Sequence, residues 1–188
     1  MQELYYCRHG QTVDLSTGHR SRRDTILTQQ GWEEARQAGM LLASRRILPS
    51  LIVCSELPRA VQSAEEIARV IDYGIDNILR MTVLNERYWG MAEGVLNTEV
   101  KQRWPGGFDT VPGAETTKDL QQRAALATIL LKELDANVVL VVGHGTIGRA
   151  IVREFESRPY TDEYNSERGS FNNGQIAQLF PQPTAYLA

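Results

Sequence analysis

The stretch VVLVVGHG, residues 138–145, contains the strongest strand signal in the chain. Its run of valine and leucine favours a strand that is buried on both faces, as strands in the middle of a parallel sheet are. Apolar residues at helical spacing predict a helix directly afterwards, from Thr146 to about Phe155. The stretch therefore predicts a strand followed by a helix, which is the repeating unit of α/β proteins.

The same alternation is found on the N-terminal side of this stretch. Two further apolar runs predict buried strands, LYYCR at residues 4–8 and LIVCS at residues 51–55. Three segments predict helices: one capped by Thr28 that ends before Pro49, one over residues 58–71 with Pro58 in its first turn, and one from Leu120 to Leu134. Strands that alternate with helices predict an α/β sandwich with a mostly parallel sheet.

Length and composition predict a single domain over residues 1–188. Of the 188 residues, 42% are hydrophobic, and no repeat or linker-like tract divides the chain. The formal net charge of −3 argues against a nucleic-acid binder. The apolar runs are too short to cross a membrane, and the first residues lack the pattern of a signal peptide. We therefore expect a cytoplasmic protein without a nucleic-acid or membrane partner.

Basic and imidazole side chains follow the predicted strands. Two of the three histidines, His9 and His144, stand directly before a glycine at the end of an apolar run. Ligands of parallel sheets bind at the carboxyl ends of the strands, and glycine lets a ligand approach the neighbouring ring and backbone. Arg8 and Arg59 add planar guanidinium groups, which suit phosphate oxygens. The sequence therefore predicts a pocket for a phosphoryl group.

Four segments, in order along the chain, resemble the motifs of the histidine phosphatase superfamily, which contains the cofactor-dependent phosphoglycerate mutases. They are RHGQT at residues 8–12, CSELPRAVQSA at 54–64, LNERYWG at 84–90 and VVGHG at 141–145. The resemblance runs from residue 4 to about 150. It implies a phosphoglycerate mutase-like fold, a three-layer α/β sandwich with helices on both faces of the central sheet. Residues 155–188 carry no motif that helps the assignment.

The resemblance also implies catalytic roles for the residues in these motifs. His9 would attack phosphorus and become a transient phosphohistidine. Arg8, Arg59 and His144 would bind the phosphoryl oxygens and the charge that develops on them. Glu86 would give a proton to the leaving group and then act as the base when water attacks.

Other polar residues near the motifs have two interpretations each. Thr12 either binds the substrate phosphate as a hydrogen-bond donor or caps a turn. The run HRSRRD, residues 19–24, is either a solvated loop or a basic group for a second anionic group of the substrate. Glu115 either forms hydrogen bonds within the site or stabilises a helix N-terminus.

The preferred function is hydrolysis of a small phosphorylated metabolite by a phosphatase of the histidine acid type. The chain is shorter than the mutases, and Arg87, Lys101 and Arg103 are the cations between Glu86 and Glu115. A cofactor-dependent phosphoglycerate mutase and a non-catalytic phosphate-binding module are the alternatives.

Two other classes of phosphatase are disfavoured by spacing. A cysteine-dependent enzyme needs five residues between its cysteine and arginine, whereas four separate Cys54 from Arg59. Three histidines without a close pair of ligands predict no metal site. We therefore expect neither a metal nor an organic cofactor, while the particular substrate and the oligomeric state are left open.

Overall fold

The core of the fold is a six-stranded sheet, seen in a computed structural model that describes residues 3–157, 171–181 and 185–187. Its strands are β1 (Glu3–Arg8), β2 (Leu51–Cys54), β3 (Leu79–Arg80), β4 (Val138–Gly143), β5 (Ile176–Phe180) and β6 (Ala185–Tyr186), in the spatial order β3-β2-β4-β1-β5-β6. The first four strands are parallel, and β5 and β6 each run antiparallel to their inner neighbour.

The register of the parallel strands brings three loops to one edge of the sheet. Arg8 at the end of β1 pairs with Gly143 at the end of β4. Cys7 and Cys54, on either side of β4, both pair with Val142. The loops that follow β1, β2 and β4 therefore leave the sheet side by side, which is the arrangement that places ligand sites in α/β proteins.

Six α-helices connect the strands within the described residues. They are α1 (Val13–Ser16), α2 (Gln29–Ser44), α3 (Pro58–Val70), α4 (Asn97–Arg103), α5 (Thr117–Lys132) and α6 (Gly145–Phe155), and short 3-10 helices lie at Ile75–Asn77, Thr82–Leu84, Gly90–Ala92 and Phe108–Thr110. Within the part of the chain that the structure describes, no helix has the length and apolar character needed to cross a membrane.

Two apolar layers hold the helices on the sheet. Alternate residues of a strand point to opposite faces, so Tyr5 and Cys7 of β1 pack with α2 and α3, whereas Leu4 and Tyr6 pack with α5 and α6. All four side chains are buried. The sandwich with helices on both faces that the sequence predicts is therefore confirmed.

Most predicted elements are found within one or two residues of their expected bounds, and the exceptions have local causes. Helix α5 begins at Thr117, ahead of the predicted Leu120, because the Thr116 hydroxyl accepts a hydrogen bond from Asp119 N and caps the helix there. The sequence did not indicate β3, β5 or β6. Strands β3 and β6 have only two residues each, and β5 lies in the segment without a family motif.

A third, smaller apolar cluster lies outside the two layers on the sheet. Residues 88–114, called the cover segment below, bury Trp89, Val100 and Phe108 against one another. Backbone hydrogen bonds join this segment to the loop after α1: Arg20 N donates to Val95 O at 2.8 Å, and Gly94 N donates to Arg20 O at 2.8 Å. The cover segment and that loop therefore form one wall beside the strand ends.

The loop after His9 passes directly against the first turn of α2. A Cβ atom added to Gly31 would overlap the carbonyl oxygen of Gln11, and one added to Gly10 would overlap the carbonyl oxygen of Gly31. Both obstacles are backbone atoms, which cannot rotate away as the end of a side chain can. The two glycines thus set the distance between the helix and the loop.

We predict that Gly31→Ala destabilises the protein by about 2–3 kcal/mol, the cost of overpacking a rigid contact. The sign of this change in the free energy of unfolding is informative, because replacing glycine by alanine within a helix otherwise stabilises a protein by about 1 kcal/mol. Urea unfolding measures the change. Gln37→Ala, on the exposed face of the same helix, is the control and should stay within about 0.5 kcal/mol of the wild type. An increase in the unfolding free energy of Gly31→Ala would contradict the overlap.

Candidate active site

His9 follows β1 and is held by backbone contacts on both sides. Its N–H donates to Gly143 O at 2.9 Å, and its buried ring places Nδ1 at 2.7 Å from Gly10 O. A carbonyl oxygen only accepts hydrogen bonds, so Nδ1 carries the hydrogen in this contact. In the neutral ring, Nε2 then holds the free lone pair, which is the form of histidine that attacks an electrophile.

The surroundings of His9 keep that ring neutral. Burial lowers the pKa of His9 well below its ordinary value, and the nearby charges of Arg59 and Arg8 lower it further, although the hydrogen bond to Gly10 opposes them. Protonation would add a third positive charge to a buried cluster. His9 is therefore uncharged at neutral pH and needs no base to expose its lone pair.

His144 lies at the N-terminus of α6, with its ring centroid 5.0 Å from that of His9. Its Nε2 lies 2.8 Å from Ser55 Oγ. The Ser55 hydroxyl donates to Asn85 Oδ1 at 2.7 Å, so its oxygen is left to accept the hydrogen of Nε2. Burial and the charge of Arg59 lower the pKa of His144 as well. In the neutral ring, Nδ1 therefore carries a lone pair that can accept a hydrogen bond. When the ring takes up a proton, Nδ1 becomes a hydrogen-bond donor.

Arg8 and Arg59 bring two guanidinium groups into the same buried region. Arg59, which is 1% exposed, donates from Nη1 to Arg22 O at 3.0 Å and to Arg23 O at 3.4 Å. Arg8 donates from Nη1 to Phe171 O at 2.6 Å. Among the described residues, the buried Nε of each arginine has no hydrogen-bond partner. Burial lowers the pKa of both groups, that of Arg59 to about 10, so both stay charged at neutral pH.

Glu86 is the carboxylate of the site. Its oxygens accept hydrogen bonds from Arg87 N at 2.9 Å, Ile147 N at 3.0 Å and Thr146 N at 3.1 Å. Two of these donors belong to the first turn of α6, where the helix dipole favours negative charge. Glu86 is also the strongest opposing charge felt by Arg8 and Arg59. The structure therefore brings Glu86 together with the four residues named above.

Thr12 and Glu115 have structural partners. Thr12 Oγ accepts a hydrogen bond from Leu15 N at 3.3 Å, so it caps α1, which is one of its two predicted roles. Its contact with substrate phosphate stays a prediction. Glu115 pairs with Arg123 at 2.6 Å, and Arg123 also donates to Asn85 O at 2.6 Å. Glu115 thereby supports the backbone beside Glu86.

The arginines of residues 19–24 are directed towards protein groups. The guanidinium carbon of Arg20 lies 4.4 Å from the ring centroid of Trp89, and that of Arg23 lies 5.8 Å from the ring centroid of Tyr88. Arg22 forms a 2.6 Å ion pair with Asp14. Arg22 and Arg23 are exposed, as expected of a solvated loop.

Sequence reasoning missed the residues that orient the two histidines. The Tyr6 hydroxyl donates to His144 O at 2.8 Å and accepts from His144 N at 2.7 Å, which fixes the turn between β4 and α6. Ser63 Oγ accepts from Gly10 N at 3.1 Å. Ser55 and Asn85 lie inside the quoted motifs, but their pairing across 30 residues is visible only in the folded chain.

The fold and the site define an α/β sandwich in which two buried histidines, the buried Arg59 and the partly buried Arg8 meet at the carboxyl edge of the sheet. Residues 4–179 match the sequence profile of the histidine phosphatase superfamily (branch 1), and the chain belongs to this superfamily. It is 31% identical over 171 residues to a 2,3-bisphosphoglycerate-dependent phosphoglycerate mutase of Rhizobium etli, with 83% of this chain and 81% of that protein aligned.

Solved structures of phosphatases share the fold. A mycobacterial glucosyl-3-phosphoglycerate phosphatase in complex with VO3 superimposes with a TM-score of 0.77 at 23% identity, covering 95% of this chain and 90% of that chain. A putative alpha-ribazole-5'-P phosphatase of Escherichia coli superimposes with a TM-score of 0.80 at 22% identity, with the same coverage of 95% and 90%. At these identities the likeness establishes the common architecture.

Because both histidines are neutral in the folded protein, we predict that the free energy of unfolding falls in mild acid. The unfolded chain binds protons at both imidazoles as the pH falls through about 6.5, whereas the folded chain does not, so the folded state is fully favoured only above that pH. Each histidine should contribute a loss on the order of 1 kcal/mol between pH 7.5 and pH 5.5.

Denaturant unfolding of the wild type and of His9→Asn at both pH values measures this contribution. The variant should lose on the order of 1 kcal/mol less than the wild type over the interval, since it lacks one of the two buried rings whose pKa is lowered by folding. An identical loss in both proteins would mean that His9 is protonated in the folded state.

Proposed function

We propose that the chain hydrolyses phosphomonoesters of small metabolites through a phosphohistidine formed at His9. The observation that carries the proposal is the state of His9: a neutral ring with Nδ1–H bonded to Gly10 O and a lone pair on Nε2, beside two buried guanidinium groups. The buried Nε atoms of Arg8 and Arg59 lack partners among the described residues, and a phosphoryl group would satisfy them. Membership of the histidine phosphatase superfamily supports the same chemistry.

In the first step, the Nε2 lone pair of His9 attacks phosphorus and the bond from phosphorus to the alcohol oxygen breaks. Arg8 and Arg59 donate to the non-bridging oxygens, on which negative charge is spread in the transition state. His144 joins them after it takes up a proton at Nδ1, which the phosphate dianion favours. Glu86, once it holds a proton, gives that proton to the departing oxygen.

In the second step, water attacks the phosphohistidine and the bond between phosphorus and Nε2 breaks. The Glu86 carboxylate accepts a proton from this water, and inorganic phosphate leaves. The hydrogen bonds from Thr146 N and Ile147 N hold the carboxylate in one orientation throughout. His9 returns to the neutral ring with Nδ1 still bonded to Gly10 O.

A phosphoglycerate mutase is the second candidate, favoured by the names of the curated relatives. It would use the same first step but return the phosphoryl group to an organic acceptor. The phosphatase names of the solved neighbours support hydrolysis. A phosphate-binding module without catalysis is the third possibility, but it would have no use for a nucleophile, a carboxylate and a second histidine in one buried cluster.

We predict a covalent phosphoenzyme on His9. Enzyme quenched with alkali during turnover of a labelled phosphomonoester should carry phosphate on His9, and His9→Ala should lose more than about 10³-fold in kcat/KM because no other group replaces the nucleophile. Cys54→Ala is the control. Burial raises the pKa of Cys54 to about 12, so its thiol stays protonated and the control should form the intermediate normally.

The fate of the intermediate separates the candidates. Inorganic phosphate release is compared with isomerisation of phosphoglycerate in the presence of its bisphosphate. Release without isomerisation supports the phosphatase, whereas faster isomerisation supports the mutase. Label on Cys54, or full activity of His9→Ala, would remove the phosphohistidine from the mechanism.

We predict that Glu86→Gln separates substrates by leaving group. An alkyl phosphate needs a proton on its departing oxygen, so its kcat/KM should fall by about 10²–10³-fold. The nitrophenolate leaving group of nitrophenyl phosphate departs without a proton, so kcat/KM for this substrate should fall by less than about tenfold. The two substrates control for each other, because general damage to the pocket would lower kcat/KM equally for both. An equal loss for both would show that Glu86 is a structural cap of α6 and not the acid.

A further inference from the structure

The Ser55 hydroxyl lies between the ring of His144 and the side chain of Asn85. Ser55 follows β2, is fully buried, and places its Oγ atom 2.8 Å from His144 Nε2. The same oxygen accepts a hydrogen bond from Leu57 N at 3.1 Å and donates its own hydrogen to Asn85 Oδ1 at 2.7 Å. A hydroxyl group has one hydrogen and two lone pairs. Because Asn85 takes the hydrogen and Leu57 takes one lone pair, only a lone pair is left for His144.

The contacts of Asn85 fix the direction of this hydrogen bond. Glu56 N donates to Asn85 Oδ1 at 3.1 Å, and a backbone N–H needs an acceptor, so the atom that faces Ser55 is the amide oxygen and not the nitrogen. The backbone of Asn85 is held as well, because its carbonyl accepts from Arg123 Nη1 at 2.6 Å. The Ser55 hydroxyl therefore cannot turn its hydrogen towards His144 without leaving Asn85.

The other ring nitrogen of His144, Nδ1, is buried beside His9, whose ring centroid lies 5.0 Å from that of His144. With the hydrogen on Nε2, the neutral ring carries a lone pair on Nδ1. Among the residues that the structure describes, this atom has no hydrogen-bond partner. The oxygens of a phosphate dianion are acceptors too, so one of them can bind Nδ1 only if a proton lies between the two atoms.

The charges around His144 decide when that proton arrives. The titratable groups that surround it come from several elements: Tyr6 and Arg8 of β1, His9 in the loop after it, Arg59 of α3, Arg123 of α5, and Glu86 bound to the first turn of α6. The three arginines and burial disfavour a positive ring in the empty pocket. A phosphate dianion reverses this balance, since it brings two negative charges next to the ring. The ring then takes up one proton from the solvent at Nδ1.

We propose that Ser55 and Asn85 are positioning residues that hold His144 in the Nε2–H form, so that a phosphoryl group binds together with one proton on Nδ1. Both residues act through the ring of His144 and not by touching the substrate. The opposite tautomer would offer Nδ1–H to the dianion without any uptake of a proton. The inference rests on the proposed function, because it concerns how the same site binds its phosphoryl group.

Nitrogen-15 NMR of the protein labelled at histidine tests the assignment, because it distinguishes a ring nitrogen that carries a hydrogen from one that carries a lone pair. The chain has three histidines, and His144→Gln identifies the signals of His144. In the free wild type, Nε2 should carry the hydrogen and Nδ1 the lone pair. With saturating inorganic phosphate at slightly alkaline pH, where the dianion prevails, both nitrogens should carry hydrogens.

Two variants release the ring from this control. Ser55→Ala removes the acceptor of Nε2–H, and Asn85→Ala frees the Ser55 hydrogen to point at Nε2, so both free proteins should contain the Nδ1–H form. In Ser55→Ala, kcat/KM for a phosphomonoester should also fall by about 10–100-fold, the effect of losing a hydrogen bond to a charged group. Asn85→Asp keeps an oxygen acceptor and should retain the Nε2–H form.

Tyr6→Phe is the matched control. It removes another buried hydroxyl that contacts His144, but this hydroxyl binds only the backbone N–H and carbonyl of that residue. The ring of His144 should therefore keep the Nε2–H form in Tyr6→Phe. A change of tautomer in this variant as large as that in Ser55→Ala would mean that general damage to the site, and not the Ser55 contact, moves the hydrogen.

An Nδ1–H form of His144 in the free wild type overturns the inference. So does an Nε2–H form that persists in both Ser55→Ala and Asn85→Ala, or a ring that stays neutral in the phosphate-bound wild type. These measurements need no turnover, so they decide the inference whether or not the protein hydrolyses phosphomonoesters. Failure of the proposed function is seen separately, as the absence of phosphate release and of a phosphoenzyme on His9.

Discussion

A full positive charge on Arg59, buried within the sandwich, is the constraint around which the site is arranged. Burial of a guanidinium group is unfavourable unless hydrogen bonds and opposite charge replace the lost water. Two carbonyl groups of the neighbouring loop accept from its Nη1 atom, and Glu86 supplies the opposing charge. Its Nε atom has no partner among the described residues. The pocket is thus organised for an anion that the protein itself does not provide.

The same charge determines the ionisation of the two histidines. Burial is the largest cause of the lowered pKa of both rings, and Arg59 exerts the largest effect among the neighbouring charges, so both rings are held in the neutral form. Neutrality leaves a free lone pair on His9 Nε2 at ordinary pH, whereas His144 needs a proton before its Nδ1 atom can donate. The stability of the fold and the chemistry of the site are therefore coupled, because acid disfavours the folded state through the same two groups.

The wall beside the pocket depends on Arg59 through a chain of contacts. Arg59 binds the carbonyl groups of the loop at residues 19–24, and that loop holds the cover segment by backbone hydrogen bonds through Arg20. The guanidinium groups of Arg20 and Arg87 both lie over the paired rings of Trp89 and Phe108. These contacts fix the wall beside the pocket.

The sequence by itself determined the class of fold and indicated the residues that the structure brings together at the candidate site. Hydrophobic runs and helical spacing depend on local preference and burial, so β1, β2, β4 and the long helices could be predicted. His9 and His144 were identifiable because each ends a buried strand before a glycine. Edge strands such as β3 are too short to carry such a pattern.

Only the tertiary structure decided which partners each site residue has. The Nδ1 contact of His9 and the link from His144 through Ser55 to Asn85 fix the tautomers of the two rings. Apart from the contact of His9 with its neighbour Gly10, these interactions join residues far apart in the chain. Their strength also depends on burial, which lowers the local dielectric and sets the pKa of each group. A linear pattern of residue types contains neither distance nor burial, which is why the role of Ser55 became visible only in the folded chain.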